Sequence, residues 1–198
     1  MQSLTASPRP LRAGVLPAAD QCATIDARSA LEGEERHMTL RALLVVYSYH
    51  HKNTEAIAKA FAPALAARIA TPQEVDPTEV AGYDLVGFGS GIYSAKHHLS
   101  LLDLAERPPH VSDKSAFIFS TCGIPAFGFS QEFVLKNHTA LRDKLVSKGY
   151  TIVDEFGCVG WNTNSFLRFF GGLNKGRPNA EDLKRAEEFA HNLERKMR

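Results

Sequence analysis

Leu43-Leu44-Val45-Val46-Tyr47-Ser48-Tyr49-His50-His51-Lys52-Asn53-Thr54-Glu55-Ala56-Ile57-Ala58-Lys59-Ala60-Phe61 is the stretch that decides the fold. Its first five residues form an unbroken apolar run, as expected of a strand covered on both faces. Glu55 to Phe61 read as the first two turns of a helix. Ser48–Thr54 between them is a tight polar loop. Such a turn presents unpaired N–H groups and the positive end of the helix dipole, a natural seat for a phosphate. The loop supplies hydroxyls, imidazoles, an amide and an ammonium, all usable phosphate partners.

Working outward from this stretch, apolar strands alternate with amphipathic helices. Strands are expected over Arg41–Tyr47, Tyr83–Ser90, Ser115–Thr121 and Tyr150–Val159, with a short edge strand at Thr71–Val75. Helices are expected over Asn53–Ala70, His97–Glu106, Gln131–Lys148 and Asn179–Met197. Asn179 followed by Asp182 is a helix-start signature. Pro63 should kink the first helix, since it removes an N–H and crowds the preceding turn. Alternation of this kind implies right-handed βαβ units and a doubly wound α/β sheet of about five strands.

Bulk numbers narrow the function. The 198 residues suffice for one domain with a proper core, and the formal net charge is +1. Neutrality leaves no global field for nucleic acid. The basic cluster Lys184-Arg185 with Arg195-Lys196-Arg198 is interleaved with Glu187, Glu188 and Glu194, the pattern of a solvated helix face. Cys22, Cys122 and Cys158 lack metal-type spacing. Their odd number fits a reducing compartment, so a cytoplasmic location is expected. No run has the length of a membrane span. Residues 1–37 carry scattered Pro and the charge run Glu32-Gly33-Glu34-Glu35-Arg36, with no persistent period. They are expected to be a disordered extension, or the product of a start assigned upstream of Met38, with the domain over 38–198.

In open α/β sheets, ligands bind beyond the carboxyl ends of the strands. Four loops end there: Ser48–Thr54, Ser90–Ser94, Thr121–Phe129 and Gly160–Pro178. The last three are rich in glycine and aromatics. Glycines let backbone approach a flat ligand, and aromatics stack on one. A phosphate seat beside an aromatic slot suits a phosphorylated planar cofactor.

Val46–Thr54 resembles the flavodoxin phosphate loop, whose usual pattern ends in Thr-Gly-Asn-Thr. Tyr83-Asp84-Leu85-Val86-Gly87-Phe88-Gly89-Ser90-Gly91-Ile92-Tyr93 resembles the third strand of that family and the loop after it. Lys114–Gly123 resembles the fourth strand with its flavin-contacting loop. The similarity covers about residues 41–197. It implies the flavodoxin-like fold with strand order 2-1-3-4-5, one non-covalent FMN, and redox partner proteins, a reductase and an acceptor. It implies that Ser48, Tyr49, His50, His51, Asn53 and Thr54 hold the phosphate, with Lys52 standing where the family usually has glycine. It implies isoalloxazine contacts from Ser90, Gly91, Ile92 and Tyr93 and from Thr121, Cys122 and Gly123, with Tyr93 as the stacking ring. A backbone carbonyl near Ser90-Gly91 would face the flavin.

Other readings stay open. The His50-His51 and His97-His98 pairs could form a metal site, but adjacent residues on a helix diverge by about 100° and no carboxylate accompanies them. Cys122 is a redox thiol or a packing residue, Trp161 a ligand contact or a core cap, and Phe117 and Phe119 core. No nucleophile elbow or triad is present, so no catalytic residue is expected. An electron carrier is the leading expectation. The alternatives are a flavin-dependent oxidoreductase acting on a quinone or porphyrin-type substrate, and a flavin-free anion-binding regulatory module.

Overall fold

The computed structural model describes residues 40–198, so the expectation for residues 1–37 lies outside the described residues. Five parallel strands carry the fold: β1 (Ala42–Tyr47), β2 (Arg68–Ala70), β3 (Leu85–Tyr93), β5 (Lys114–Cys122) and β6 (Tyr150–Val159). They lie in the order β2-β1-β3-β5-β6. A two-residue strand, β4 (Lys96–His97), returns antiparallel onto the end of β3, where Ile92 faces His97. With that hairpin set aside the order is 2-1-3-4-5, as the sequence implies.

Helices α1 (Asn53–Leu65) and α5 (Ala180–Met197) cover one face of the sheet, and α3 (Leu99–Glu106) and α4 (Gln131–Ser147) the other. A one-turn helix, α2 (Pro77–Val80), follows β2. Strand residues alternate between the two cores. Leu43, Val45, Val86, Phe88 and Ile118 pack with α3 and α4. Leu44, Val46, Phe117, Phe119 and Phe156 pack with α1 and α5. Phe117 and Phe119 are wholly buried, as expected. Gly87 and Gly89 of β3 make room for their rings: a Cβ at either glycine would collide with the facing phenyl.

Several boundaries differ from expectation. β3 runs over Leu85–Tyr93 rather than Tyr83–Ser90, so Gly91–Tyr93, expected in a loop, end the strand. The first helix stops at Leu65, two residues past Pro63, because Ala66 turns left-handed (φ 46°). The edge strand therefore lies at Arg68–Ala70 rather than Thr71–Val75. His97 belongs to β4 and does not open a helix; His98 caps α3 instead, its imidazole accepting from the Ser100 N–H at 3.2 Å. The Asn179–Asp182 capping box forms as expected, with both reciprocal bonds at 3.0 Å.

Candidate functional site

The β1–α1 loop has a tight geometry. His51 and Lys52 both adopt left-handed backbone, at φ 50° and 57°. Glycine reaches this region freely, whereas an L side chain pays roughly 1–2 kcal/mol there. This is the physical content of the lysine in a glycine position. The Glu55 N–H donates to Ser48 Oγ at 3.2 Å. Among the described residues no acceptor meets the N–H of His51, Lys52 or Thr54. The N-terminus of α1 thus offers free donors at the positive end of its dipole. The Lys52 ammonium turns aside to Glu55, 3.3 Å away, and Glu55 also pairs with Lys59 at 2.8 Å. The hydrogen bond from Lys59, assisted by Lys52, holds the Glu55 carboxyl below its ordinary range.

A cleft of about 70 Å³ opens beside this loop. Ser48, Tyr49, His50, Asn53 and Thr54 form one wall, Gly91, Ile92 and Tyr93 a second, and Thr121, Cys122 and Gly123 a third. Three residues named from the sequence do not line it. His51 and Lys52 point outward, and Ser90 is buried behind it. The cleft gains Trp161, Asn162 and Asn164 from the last loop. Of these, only Trp161 stands out in the sequence. The two asparagines lie in a stretch with no period, and their signal was limited to its length and glycine content.

Hydrogen bonds fix the walls. Thr54 and Thr121 share a buried hydroxyl contact of 2.8 Å, tying α1 to β5. The Asn53 amide donates to the Trp161 carbonyl (2.9 Å), Asn162 to that of Gly123 (3.1 Å) and Asn174 to that of Ile124 (2.8 Å). Trp161 stacks on His51 at 3.9 Å between ring centroids, and its indole N–H donates to the Gly171 carbonyl. Thr163 Oγ1 lies 2.7 Å from His51 Nε2 and 3.3 Å from His50 Nε2. Burial and the neighbouring His50 lower the His51 pKa, favouring the neutral ring.

The Tyr93 ring packs edge-on to Tyr47 and to His98, while His98 stacks on Tyr47 at 3.6 Å. Burial raises the Tyr93 phenol pKa, so it stays protonated. Burial also pushes the Cys122 thiol up to about 11, leaving little thiolate at neutral pH. Cys122 therefore acts as packing in the cleft wall. The four loop histidines are spoken for separately: His50 and His51 meet Thr163, His97 is buried against Ser90, and His98 caps α3. Among the described residues no three His, Cys, Asp or Glu side chains gather as metal ligands, and no helix is long and apolar enough to cross a membrane.

The loops that supply the cleft residues also expose aromatic rings. Phe127 is 95% exposed, Phe170 81%, Phe169 74% and Tyr49 76%. The four loops contain no Asp or Glu, but they hold Lys52, Arg168, Lys175 and Arg177, with Lys96 just beyond the second in β4. Lys96, Arg168 and Lys175 make no ion pair among the described residues.

A doubly wound sheet in this order, with its cleft at the carboxyl ends, is the flavodoxin-like fold. Solved structures agree on the fold. The Fusobacterium nucleatum flavodoxin bound to flavin mononucleotide superposes with a TM-score of 0.56, at 15% identity, over 80% of this chain and 100% of that one. A flavodoxin from the domain Archaea gives 0.54, at 16% identity, over 80% of this chain and 99% of that one. In sequence, the chain is 46% identical over 156 residues to uncharacterized protein MJ0298 of Methanocaldococcus jannaschii, covering 78% of this chain and 98% of that protein. It belongs to the same family as that archaeal protein. No family model matches the chain.

Proposed function

We propose that the chain binds FMN in this cleft and passes electrons between redox partner proteins. The observation that carries the reading is the N-terminus of α1, whose Thr54 N–H meets no acceptor among the described residues, lining the same cleft as Gly91–Tyr93 and Thr121–Gly123. Free donors at a helix N-terminus suit a phosphate dianion. In this reading Ser48, Tyr49, His50, His51, Lys52, Asn53 and Thr54 form the phosphate end, with His51 and Lys52 contributing backbone N–H. Gly91, Ile92, Tyr93, Thr121, Cys122 and Gly123 flank the ring system, and Trp161 closes its open side. When bound, FMN supplies the electron-transfer chemistry, and the protein binds, orients and tunes it. The acid-free, basic and aromatic rim suits a partner with an acidic face, since complementary charge steers encounter. A purified sample should be yellow and release FMN on denaturation. A colourless protein that fails to bind added FMN overturns the reading.

A second reading has its own support. Phe127, Phe169 and Phe170 stand exposed on two of the loops that supply cleft residues, and exposed apolar rings suit a flat apolar substrate. The chain would then be a flavin-dependent oxidoreductase acting on a quinone or porphyrin-type compound. Turnover of NAD(P)H with a quinone by the isolated protein separates enzyme from carrier.

A further inference from the structure

The segment between Val159 and Ala180 leaves the sheet and returns as a closed excursion. Asn162 and Leu173 exchange backbone hydrogen bonds of 2.9 and 2.7 Å across its neck, and the Trp161 N–H donates to the Arg177 carbonyl at 3.0 Å. Arg177 is itself held by Asp182 at 2.8 Å. The Trp161 indole ties neck to tip, its N–H donating to the Gly171 carbonyl at 3.1 Å. The tip is a 3₁₀ turn over Ser165–Phe170.

This turn exposes large apolar rings. Phe166 is 64% exposed, and Phe169 and Phe170 are barer still. Residues three apart share one side of a 3₁₀ turn, so Phe166 and Phe169 align and Phe170 follows, while Leu167 is half-buried. Rings grouped this closely in water mark a contact surface. Charge says what the contact is made with. Between Glu155 and Glu181 the chain has no acidic residue, but it holds Arg168, Lys175 and Arg177. The Arg168 guanidinium lies 4.8 Å over the Phe169 ring. Apolar rings flanked by unpaired cations complement a surface that is apolar within and anionic outside, a bilayer with acidic headgroups. A protein partner fits less well. A stable protein interface takes roughly 20–30 residues a side and seats its aromatic anchors in pockets, whereas a bilayer asks for neither.

We propose that this tip is a peripheral membrane anchor: Phe166, Phe169 and Phe170 enter the headgroup layer of an anionic bilayer, and Arg168 and Lys175 pair with its acidic headgroups. The anchor needs no spanning helix, and it does not depend on the FMN reading. The same loop gives Trp161, Asn162 and Asn164 to the cleft. Docking through its tip therefore brings the cleft to the membrane surface, within reach of reactants dissolved there.

The test is co-sedimentation of the full chain with vesicles of phosphatidylcholine alone or of equal parts phosphatidylcholine and phosphatidylglycerol. Wild type should bind the mixed vesicles, and the neutral ones more weakly. Phe169→Ser with Phe170→Ser should weaken mixed-vesicle binding about ten-fold per ring, and Lys175→Gln about five-fold. No binding of wild type to mixed vesicles overturns the proposal. Binding unchanged by the phenylalanine pair also overturns it, by placing the contact elsewhere, such as the basic residues of α5. Trp161 is the sole tryptophan of the chain and gives a reading that needs no variant. A nitroxide-headgroup lipid in the mixed vesicles should quench its fluorescence; bound protein with unquenched Trp161 overturns the proposal. On gel filtration without lipid, wild type should elute with the double variant. A larger wild-type species would show that the rings meet a second copy, and overturns the proposal too. Protein that binds mixed vesicles but no FMN keeps this inference and loses the functional reading alone.

Discussion

The two faces of the sheet are stabilised by opposite means. Toward α1 and α5, Phe61 meets Phe117, Phe119, Phe156 and Phe189 with centroids 5.1 to 5.6 Å apart, mostly edge to face, with no polar group among them. Toward α3 and α4, the aliphatic core gives way near the cleft to a buried polar chain. Arg142 and His138 converge on Glu155, at 2.5 and 2.8 Å, and His138 continues to Ser120 at 2.8 Å. Apolar packing tolerates any pH but punishes lost volume. A buried polar chain tolerates little change of charge, because each unmatched member costs its full desolvation. The face that backs Gly91 is thus the one sensitive to protonation.

The largest expected effect tests the aromatic face. Phe61→Ala should cost roughly 3–5 kcal/mol in urea unfolding, through transfer and cavity terms. That loss should be the same at pH 7.5 and 5.5; a pH-dependent loss would break the contrast. Next, Glu155→Ala should cost roughly 2–3 kcal/mol at pH 7.5, since charged hydrogen bonds are lost and the His138 N–H is stranded. Burial works against the Glu155 carboxylate, yet the bonds from His138 and Arg142 outweigh it and keep its pKa low.

Acid gives a third, smaller effect. Burial lowers the pKa of both His97 and His138, His97 strongly. Between the folded and unfolded pKa values the unfolded chain binds more protons, so stability rises with pH across that window. The contribution is complete above the unfolded value of 6.5 and is lost as pH drops below it. At pH 5.5 each histidine should cost up to about 1.4 kcal/mol, read as a lower urea midpoint. An unmoved midpoint would show that neither ring is kept neutral by burial. The smallest effect lies in the loop: Lys52→Gly should stabilise the fold by about 1 kcal/mol by relieving left-handed strain, measured as a raised Tm. A lowered Tm would give more weight to the pairing of Lys52 with Glu55.

The sequence showed one of these faces better than the other. Phe117 and Phe119 declare themselves by sitting in an apolar run, and Asn179 with Asp182 marks the start of α5 through local chemistry. His138 reads as one more polar position on a helix and Glu155 as one more charge on a strand. They become a chain only when α4 packs across β5 and β6, which no local pattern encodes. The same limit applies at the site. Ser48–Thr54 follows the end of β1, and Gly91–Tyr93 and Thr121–Gly123 lie at the ends of β3 and β5, so all three are legible from position. Asn162 and Asn164 reach the cleft through a long loop without periodicity. The strands β2 and β4, of three and two residues, are too short to show alternation.

The three asparagine amides that fasten the last loop have a consequence for engineering. Asn53 and the backbone of Gly123 and Ile124 belong to other loops, so the Gly160–Pro178 segment is not a transplantable module. A graft of that segment onto a related scaffold would carry its shape only if the host supplied a side-chain amide at the start of its first helix. Gly123 would also have to stay without a side chain, because a Cβ there would collide with Asn162. The unit of exchange is therefore the whole rim, assembled from parts of the chain that are more than a hundred residues apart.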